Sequence, residues 1–339
     1  MLQKTDTPDN HTKAARDWVR VLSAYREPST LRSSYELAVT FAGFLILWAL
    51  AWYALAISPL LTLVISSCNA AFLLRLFVIQ HDCGHSAFLK NRALSDWLGR
   101  VLGVFTLTPY AVWRRTHAYH HSASGNLERR GMGDVHTLTV AEYQSKSSFQ
   151  KFLYRLYRHP LVLFGLGPGY LFFLQNRLPL GLTDQAKYWV SSMGTNAVLV
   201  AILSIIVHFG GLMPILLIFV PSTLLAATAG VWLFYVQHQF EETNWEHEED
   251  WDLHDAALHG SSHYVLPSVL QWLSANIGIH HVHHLYSRIP FYRLPEVLRD
   301  HAELATGNQM TVRESLQNAR LHLWDEKARK LVTFAQAKP

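Results

Sequence analysis

The 339-residue sequence has little charge and almost no cysteine. Asp, Glu, Lys and Arg make up 16% of it, whereas an average soluble domain has about 25%. Of its two cysteines, Cys68 lies in an apolar run and Cys83 lies between histidines. This placement excludes a disulfide scaffold or a cysteine-based zinc site. The first residues have no apolar segment of the kind that a secretory signal requires, and the chain has no internal repeat.

Hydrophobic residues make up half of the chain, and they are concentrated in two long uncharged runs. The first extends from Leu37 to Leu74 and is interrupted at Ser58 and Pro59. The second extends from Tyr188 to Phe240 and is interrupted by the stretch HFGGLMP. Because a membrane-spanning helix needs about 20 apolar residues, each run predicts two spans joined by a short turn. The predicted spans are 37–57, 60–80, 189–208 and 213–237.

A third apolar stretch, 161–175, is shorter and is expected to be broken at Gly167-Pro168-Gly169. We interpret it as an interfacial or re-entrant segment, with a short span as the alternative.

The distribution of basic residues predicts which side of the membrane each segment occupies. Of the 29 Lys and Arg residues, six precede the first span, fourteen lie between the two runs and nine follow the second. The predicted turns within the two runs contain none. The positive-inside rule therefore places both termini and the central segment in the cytoplasm. We attribute the net charge of +4 to basic residues on the cytoplasmic side of the membrane and to their contact with lipid headgroups. No nucleic acid is expected as a partner.

Histidine is the unusual residue, because ten of the 20 histidines fall into four short clusters. The clusters are His81 with His85; His117, His120 and His121; His238 alone; and His280, His281, His283 and His284. Residues three or four apart share one face of a helix, so histidines at this spacing can bind one ion. Adjacent histidines in an H-x-x-H-H motif diverge by about 100°, so they can face two different ions. This pattern favours a binuclear metal centre.

The predicted topology brings these clusters together. His81 follows the second span and His238 ends the fourth, and both spans run toward the cytoplasm. The other two clusters lie in predicted cytoplasmic segments, so all four can meet at the inner membrane face. A lone His238 could equally be an interfacial histidine, and the remaining histidines are interpreted as interfacial or solvated.

The order H-x-x-x-H, H-x-x-H-H, H-x-x-H-H between hydrophobic hairpins resembles the membrane fatty acid desaturases. NIGIHHVHHL and VQHQFEETNW are similar to bacterial acyl-lipid desaturases in particular, and the resemblance covers roughly residues 40–300. It implies two non-haem iron ions as cofactors and no catalytic side chain beyond the metal centre. The implied ligands are His81, His85, His117, His120, His121, His238, His280, His283 and His284.

Three further residues are candidates to orient the imidazoles from outside the ligand set. Asp82 and Asn276 lie beside the first and last clusters, and His281 lies within the last one. No substrate-binding residue is indicated by the sequence.

The chemistry expected at this site is an oxidation. An unactivated methylene has no acidic proton, so removing its hydrogens requires a strong oxidant. Metal-activated O2 can supply one, and two electrons must then come from an external donor. The expected substrate is a fatty acyl lipid in the bilayer, and the product is a cis double bond. The donor is expected to be of the ferredoxin or cytochrome b5 type. The pairs Arg114-Arg115 and Arg129-Arg130 could dock such an acidic donor or anchor to lipid phosphates.

The fold class predicted is an all-α integral membrane protein, with two helical hairpins and a cytoplasmic helical cap that carries the histidine boxes. Three parts are expected: a cytoplasmic segment 1–35, a desaturase domain 36–300 and a cytoplasmic helical tail 301–339. The tail begins with a capping box, TVRE, before an exposed amphipathic helix. A bacterial inner membrane is the expected location.

Three other functions are open to the sequence. A di-iron hydroxylase of lipid or alkane chains would share the metals and yield an alcohol. A metal transporter would place ligands near the middle of its spans. A membrane zinc protease would need H-E-x-x-H, and HEEDW lacks the second histidine.

Overall fold

The computed structural model describes residues 15–337, so the first fourteen residues of the predicted segment 1–35 lie outside it. The described chain is mostly helical, which confirms the predicted class. Its α-helices are, in chain order, α1 (Ala15–Leu22), α2 (Thr30–Ala54), α3 (Pro59–Gly84), α4 (Arg92–Phe105), α5 (Tyr110–Ala123), α6 (Val140–Ser145), α7 (Ser148–Arg158), α8 (Gly167–Gly169), α9 (Ala186–Gly210), α10 (Val220–His238), α11 (Leu253–His259), α12 (Ser268–Leu273), α13 (His280–Leu285), α14 (Leu294–Asp300), α15 (Ala302–Thr306) and α16 (Val312–Asn318). Short 3-10 turns lie at Ser23–Tyr25, Gln175–Arg177 and Phe291–Arg293.

Among the described residues, four helices are long and apolar enough to cross a membrane, as predicted. They are Thr30–Ala54, Pro59–Gly84, Ala186–Gly210 and Ile215–His238, the last including a π-helical turn at Ile215–Phe219. Ser58 caps α3 by accepting a hydrogen bond from the Leu61 N–H, and Pro59 follows at the first helical position, where its missing N–H costs nothing. Gly211, at φ +67°, ends α9 in a conformation that glycine adopts readily.

The two hairpins pack through their second helices. The Ser66 hydroxyl donates to the Leu217 carbonyl at 2.8 Å, and the Ser222 hydroxyl donates to the Ser66 carbonyl at 2.9 Å. These bonds align α3 with α10. The C-terminal ends of both helices, which carry His81 and His238, therefore lie side by side.

The stretch 161–175, expected to be broken at Gly167-Pro168-Gly169, is helical throughout. It consists of π-helical turns at Leu161–Leu166 and Tyr170–Leu174, joined by α8. Phe164 packs against Trp232 and Tyr235 of α10, with ring centroids 5.0 and 5.1 Å apart. Gly167, Pro168 and Gly169 thus lie in the α-helical part between the two π-helical turns, and the helix continues through them.

The segments outside the spans form a cap, and one hydrophobic cluster in it joins α1 to the segment around α13. Trp18 and Leu22 of α1 pack with Ile279, Val282 and Leu285 around α13. Two small sheets complete the cap. Strands β2 (His263–Val265) and β3 (Gln309–Thr311) pair in parallel, and β1 (Leu138–Thr139), β4 (Leu323–Asp325) and β5 (Lys330–Val332) form a second sheet in the order β1-β4-β5.

The C-terminal tail differs from the expected exposed helix. The capping box is present, because Thr311 accepts from the Glu314 N–H and Glu314 from the Thr311 N–H. The helix it starts, α16, ends at Asn318, and the antiparallel pair β4–β5 follows. Leu323 and Trp324 are buried, so burial of these side chains draws the tail into the cap.

Candidate metal centre

Nine histidines from four segments converge where the cap meets the ends of α3 and α10. His81 lies in the last turn of α3 and His85 follows its end. His117, His120 and His121 lie on α5, His238 ends α10, and α13 carries His280, His283 and His284. They form two groups of potential ligand atoms, each with all its atoms within 4.8 Å of one another. The first group is His81, His85, His117, His121 and His283, and the second is His120, His238, His280 and His284.

Adjacent histidines on α5 and α13 separate into different groups, as the helical angle between neighbours predicts. On α5, His121 joins the first group and His120 the second; on α13, His283 joins the first and His284 the second. Two short helices thus each contribute to both groups. Nδ1 or Nε2 atoms of imidazoles brought this close are a typical ligand set for a first-row transition metal.

The hydrogen bonds of the second group show why its nitrogen atoms fit a cation. The Nδ1 atom of His238 donates to the Gly260 carbonyl at 3.2 Å, and the Nδ1 atom of His120 donates to the Asp134 carboxylate. With the proton on Nδ1, each Nε2 atom carries a lone pair. These two Nε2 atoms face each other at 3.1 Å. Two lone pairs cannot form a hydrogen bond, so the arrangement matches nitrogen atoms positioned around a metal ion.

The first group has the same convergence. The Nε2 atom of His117 lies 3.0 Å from that of His85 and 3.1 Å from that of His121, and the His121 and His283 Nε2 atoms are 3.2 Å apart. Burial, and then the neighbouring imidazoles, hold the pKa of His121 and His283 well below the usual range. These rings are neutral at pH 7, and a neutral imidazole is the form that binds metals.

The three predicted orienting residues have different surroundings. The Asp82 carboxylate lies 3.3 Å from the His81 Nδ1 atom and also accepts the Phe291 N–H at 2.7 Å. The Asn276 amide donates to the Phe291 carbonyl at 3.2 Å, and the N–H of the same Phe291 binds Asp82. The His281 ring departs from the expectation. Its Nε2 atom donates to the Leu304 carbonyl at 2.8 Å, away from both groups.

Sequence reasoning missed Asp134. This residue lies in the loop after α5, between Gly133 at φ +79° and the strand β1, and its carboxylate contacts His120. A carboxylate bonded to the outer nitrogen of a ligating histidine fixes the tautomer and raises its basicity. The only indication of this role in the sequence is an aspartate thirteen residues after His121 in a glycine-rich segment. That pattern is too common to identify a functional residue.

The fold and the two histidine groups are those expected of a desaturase, and the sequence comparison decides the family. A sequence model described as fatty acid desaturase matches residues 57–315. The chain belongs to the fatty acid desaturase family. It is therefore an oxidoreductase, and the hydroxylase alternative is not favoured.

Several bacterial enzymes are similar to this desaturase over most of its length. A fatty acid desaturase of Bacillus subtilis is 42% identical over 317 residues, covering 94% of this chain and 90% of that protein. An sn-1 oleoyl-lipid 12-desaturase of Synechocystis is 26% identical, covering 83% of this chain and 74% of that protein. An sn-1 acyl-lipid omega-3 desaturase (ferredoxin) of Synechocystis is 28% identical, covering 65% of this chain and 61% of that protein.

Proposed function

We propose that the two histidine groups hold two non-haem iron ions with which this desaturase introduces a cis double bond into an acyl chain of a membrane lipid. The observation that carries the proposal is the convergence of nine histidines into two groups in a member of the desaturase family. The proposed ligands are His81, His85, His117, His121 and His283 for one ion and His120, His238, His280 and His284 for the other.

The reaction balances with O2 and an external donor. One hydrogen atom leaves each of two adjacent methylenes, and O2 takes up these two hydrogens together with two electrons and two protons, yielding two waters and the alkene. Histidine-bound iron supplies the oxidising power for breaking unactivated C–H bonds when it is present with O2.

The protein's own groups fix the orientation of the imidazoles. Asp82 holds the outer nitrogen of His81, Asp134 that of His120, and the Gly260 carbonyl that of His238. Each interaction keeps the proton on Nδ1 and directs the Nε2 lone pair inward. Such preorganisation keeps the ligand set in place between turnovers.

The relatives' names support an acyl-lipid substrate and a ferredoxin donor, since two of them are an acyl-lipid and an oleoyl-lipid desaturase and one carries ferredoxin in its name. A cytochrome b5-type donor is the alternative. The distribution of basic residues supports a bacterial inner membrane location with both termini and the histidine groups on the cytoplasmic side.

The test is expression in a bacterial host with saturated lipids, followed by mass spectrometry of its fatty acids and metal analysis of the purified protein. Wild type should produce monounsaturated chains and contain about two irons per chain. His280→Ala should lose iron and product, since His280 is buried in the second group. The matched control is His259→Ala, because His259 is exposed and pairs with Asp255 at 3.0 Å.

Three outcomes would count against the proposal. Hydroxylated chains as the main product would indicate a hydroxylase. An unchanged acyl profile with reductant and oxygen present would contradict lipid desaturation by this chain. Full iron content in His280→Ala would contradict the ligand assignment.

A further inference from the structure

A cleft of about 440 Å³ opens beside the first histidine group. His85 and His117 line its inner wall, so the cleft reaches the candidate metal ligands directly. It lies at the end of α3, between the loop after α3, the middle of α5 and the loop after α13. Its volume is within the range of about 300–1,000 Å³ typical of small-molecule sites.

Among the described residues, four cations and no carboxylate line the cleft. Lys90 and Arg92 follow the first histidine box, Arg114 precedes the second, and Arg288 follows the third. Among residues 15–337, Lys90, Arg92 and Arg288 make no ion pair within 4.0 Å, whereas Arg114 pairs with Asp96 at 2.8 Å. Three unpaired cations around one concavity concentrate positive potential there.

Side chains in the lining of the cleft are closely packed. Trp113 stacks on His117, with ring centroids 4.7 Å apart and planes 16° apart. Gly84 permits this, because a Cβ atom there would lie 2.6 Å from the indole. Ser86, also in the lining, has φ +57°, a conformation that non-glycine residues retain mainly where the surroundings enforce it.

We propose that this cleft binds the phosphate of the substrate's headgroup and that the substrate is an anionic phospholipid, since the described lining residues include no carboxylate that would pair with a headgroup amine. The inference rests on the proposed lipid desaturase function. Arginine suits phosphate because its planar fork donates two parallel hydrogen bonds. The cleft lies at the end of a helix long and apolar enough to span the membrane, which is where a lipid headgroup would be placed. His85 and His117 of the first histidine group belong to its lining.

An acidic electron-transfer protein is the competing occupant of a cationic surface. Protein partners bury about 800 Å² per side over broad surfaces, whereas these cations surround a concavity of small-molecule size. Their position around a concavity favours a small anionic group, and the experiment below tests the other case as well.

The experiment compares two lipids with identical acyl chains, phosphatidylglycerol and uncharged monogalactosyl diacylglycerol, in neutral detergent micelles with purified iron-loaded enzyme. Lys90→Gln/Arg92→Gln/Arg288→Gln should raise the KM for phosphatidylglycerol about tenfold, since it removes charge-assisted hydrogen bonds. Its kcat, and its KM for the galactolipid, should stay near the wild-type values. Arg100→Gln is the matched control, because Arg100 is exposed on the same helix as Arg92 and outside the cleft.

A binding measurement gives a readout independent of turnover. Wild type should bind short-chain dihexanoyl phosphatidylglycerol in equilibrium dialysis about tenfold more tightly than the triple variant does. Inorganic phosphate should compete only weakly, because it lacks the glycerol and acyl groups. Competition as strong as that of the lipid would overturn the headgroup assignment in favour of a free-phosphate site.

The outcomes separate this inference from the proposed function. An unchanged KM for phosphatidylglycerol in the triple variant overturns the inference while leaving desaturation intact. A raised KM for the donor protein with both lipids also overturns it, and assigns the cleft to the donor. If wild type desaturates neither lipid, the proposed function is contradicted. The dialysis measurement then still tests whether the cleft binds the phospholipid.

Discussion

Asp134 shows how one carboxylate in a loop can complete a site built on helices. Its carboxylate accepts from the Nδ1 atom of His120, and its side chain is 8% exposed. His120 is itself fully buried in the second group. Because the bond fixes which nitrogen of His120 has the lone pair, the second group depends on Asp134 for its alignment.

Asp134→Asn should weaken metal binding at the second group by about 10- to 100-fold, which is typical when such a supporting residue is changed. Metal content after dialysis against graded chelator should fall toward one ion per chain while the helical circular dichroism stays unchanged. The control is Asp255→Asn, since Asp255 contacts an exposed histidine, His259, outside both groups. Equal chelator sensitivity of Asp134→Asn and wild type would remove this role for Asp134.

At the level of single residues, the sequence predicted the site best where histidines repeat at helical spacing. The H-x-x-H-H pattern predicted that His120 and His121 would face different ions, because that divergence depends only on helix geometry. Which of the two groups each histidine joins could not be predicted, because it depends on how α5 packs against its neighbours. The orientation of His281 toward Leu304 depends on α15, which has no sequence link to the box.

Among the elements, α3 carries a charge within its spanning stretch. Arg75 is buried and pairs with the carboxylate of Glu36 on α2, and its Nε atom donates to the Thr40 hydroxyl at 3.1 Å. Its guanidinium lies 4.1 Å from the ring of Trp272 in the cap. Arg75 therefore ties the first hairpin to the segment that leads to the third histidine box.

Arg75→Met should destabilise the protein by about 3 kcal/mol or more, since it leaves the buried Glu36 without its main partner. Glu36→Leu/Arg75→Met should cost less than the single change, because no buried charge then remains unpaired. Thermal unfolding in detergent micelles measures both. Arg32→Gln is the control: Arg32 also pairs with Glu36, at 2.7 Å, but its side chain is 54% exposed, so it should cost about 1 kcal/mol or less.

Element prediction succeeded for long uncharged runs and failed for short strands. Four spans could be predicted because nearly 20 consecutive apolar residues have few alternatives to a helix in a bilayer. Strands β1, β4 and β5 have two or three residues each, too few to show an alternating pattern. Their existence depends on pairing between segments far apart in sequence, which the helical tail prediction did not include.

For the whole molecule, the C-terminal tail is joined to the cap by an exposed cluster centred on His247. Its two ring nitrogens lie 2.6 Å from Glu128 and 2.9 Å from Glu326. The hydrogen bond to Glu128, then that to Glu326, raises the pKa of His247 to about 9. The protonated ring thereby connects the loop after α5, the segment after α10 and the β4–β5 turn.

Because the pKa of His247 is higher in the folded protein than in the unfolded chain, its protonated ring stabilises the fold. This stabilisation is complete below about pH 6.5 and is lost as the pH rises through about 9. The melting temperature of His247→Gln should therefore lie below that of wild type at pH 6 and approach it at pH 10. The contribution of His247 to the free energy of unfolding is limited to about 1 kcal/mol or less, because its side chain is 57% exposed. A difference that grows with pH would show that the ring is not charged in the folded state.

Sidedness is the property of the whole molecule on which the convergence of the histidine clusters depends. The reagent is a water-soluble maleimide that does not cross membranes, applied to intact spheroplasts. Leu212→Cys, in the turn between α9 and α10, should react at once, and Lys327→Cys, in the β4–β5 turn, only after permeabilisation. Wild type is the blank, since Cys68 lies within a span and Cys83 is buried. The reverse pattern would contradict the predicted orientation, and reaction of both sites from outside would contradict the four-span arrangement.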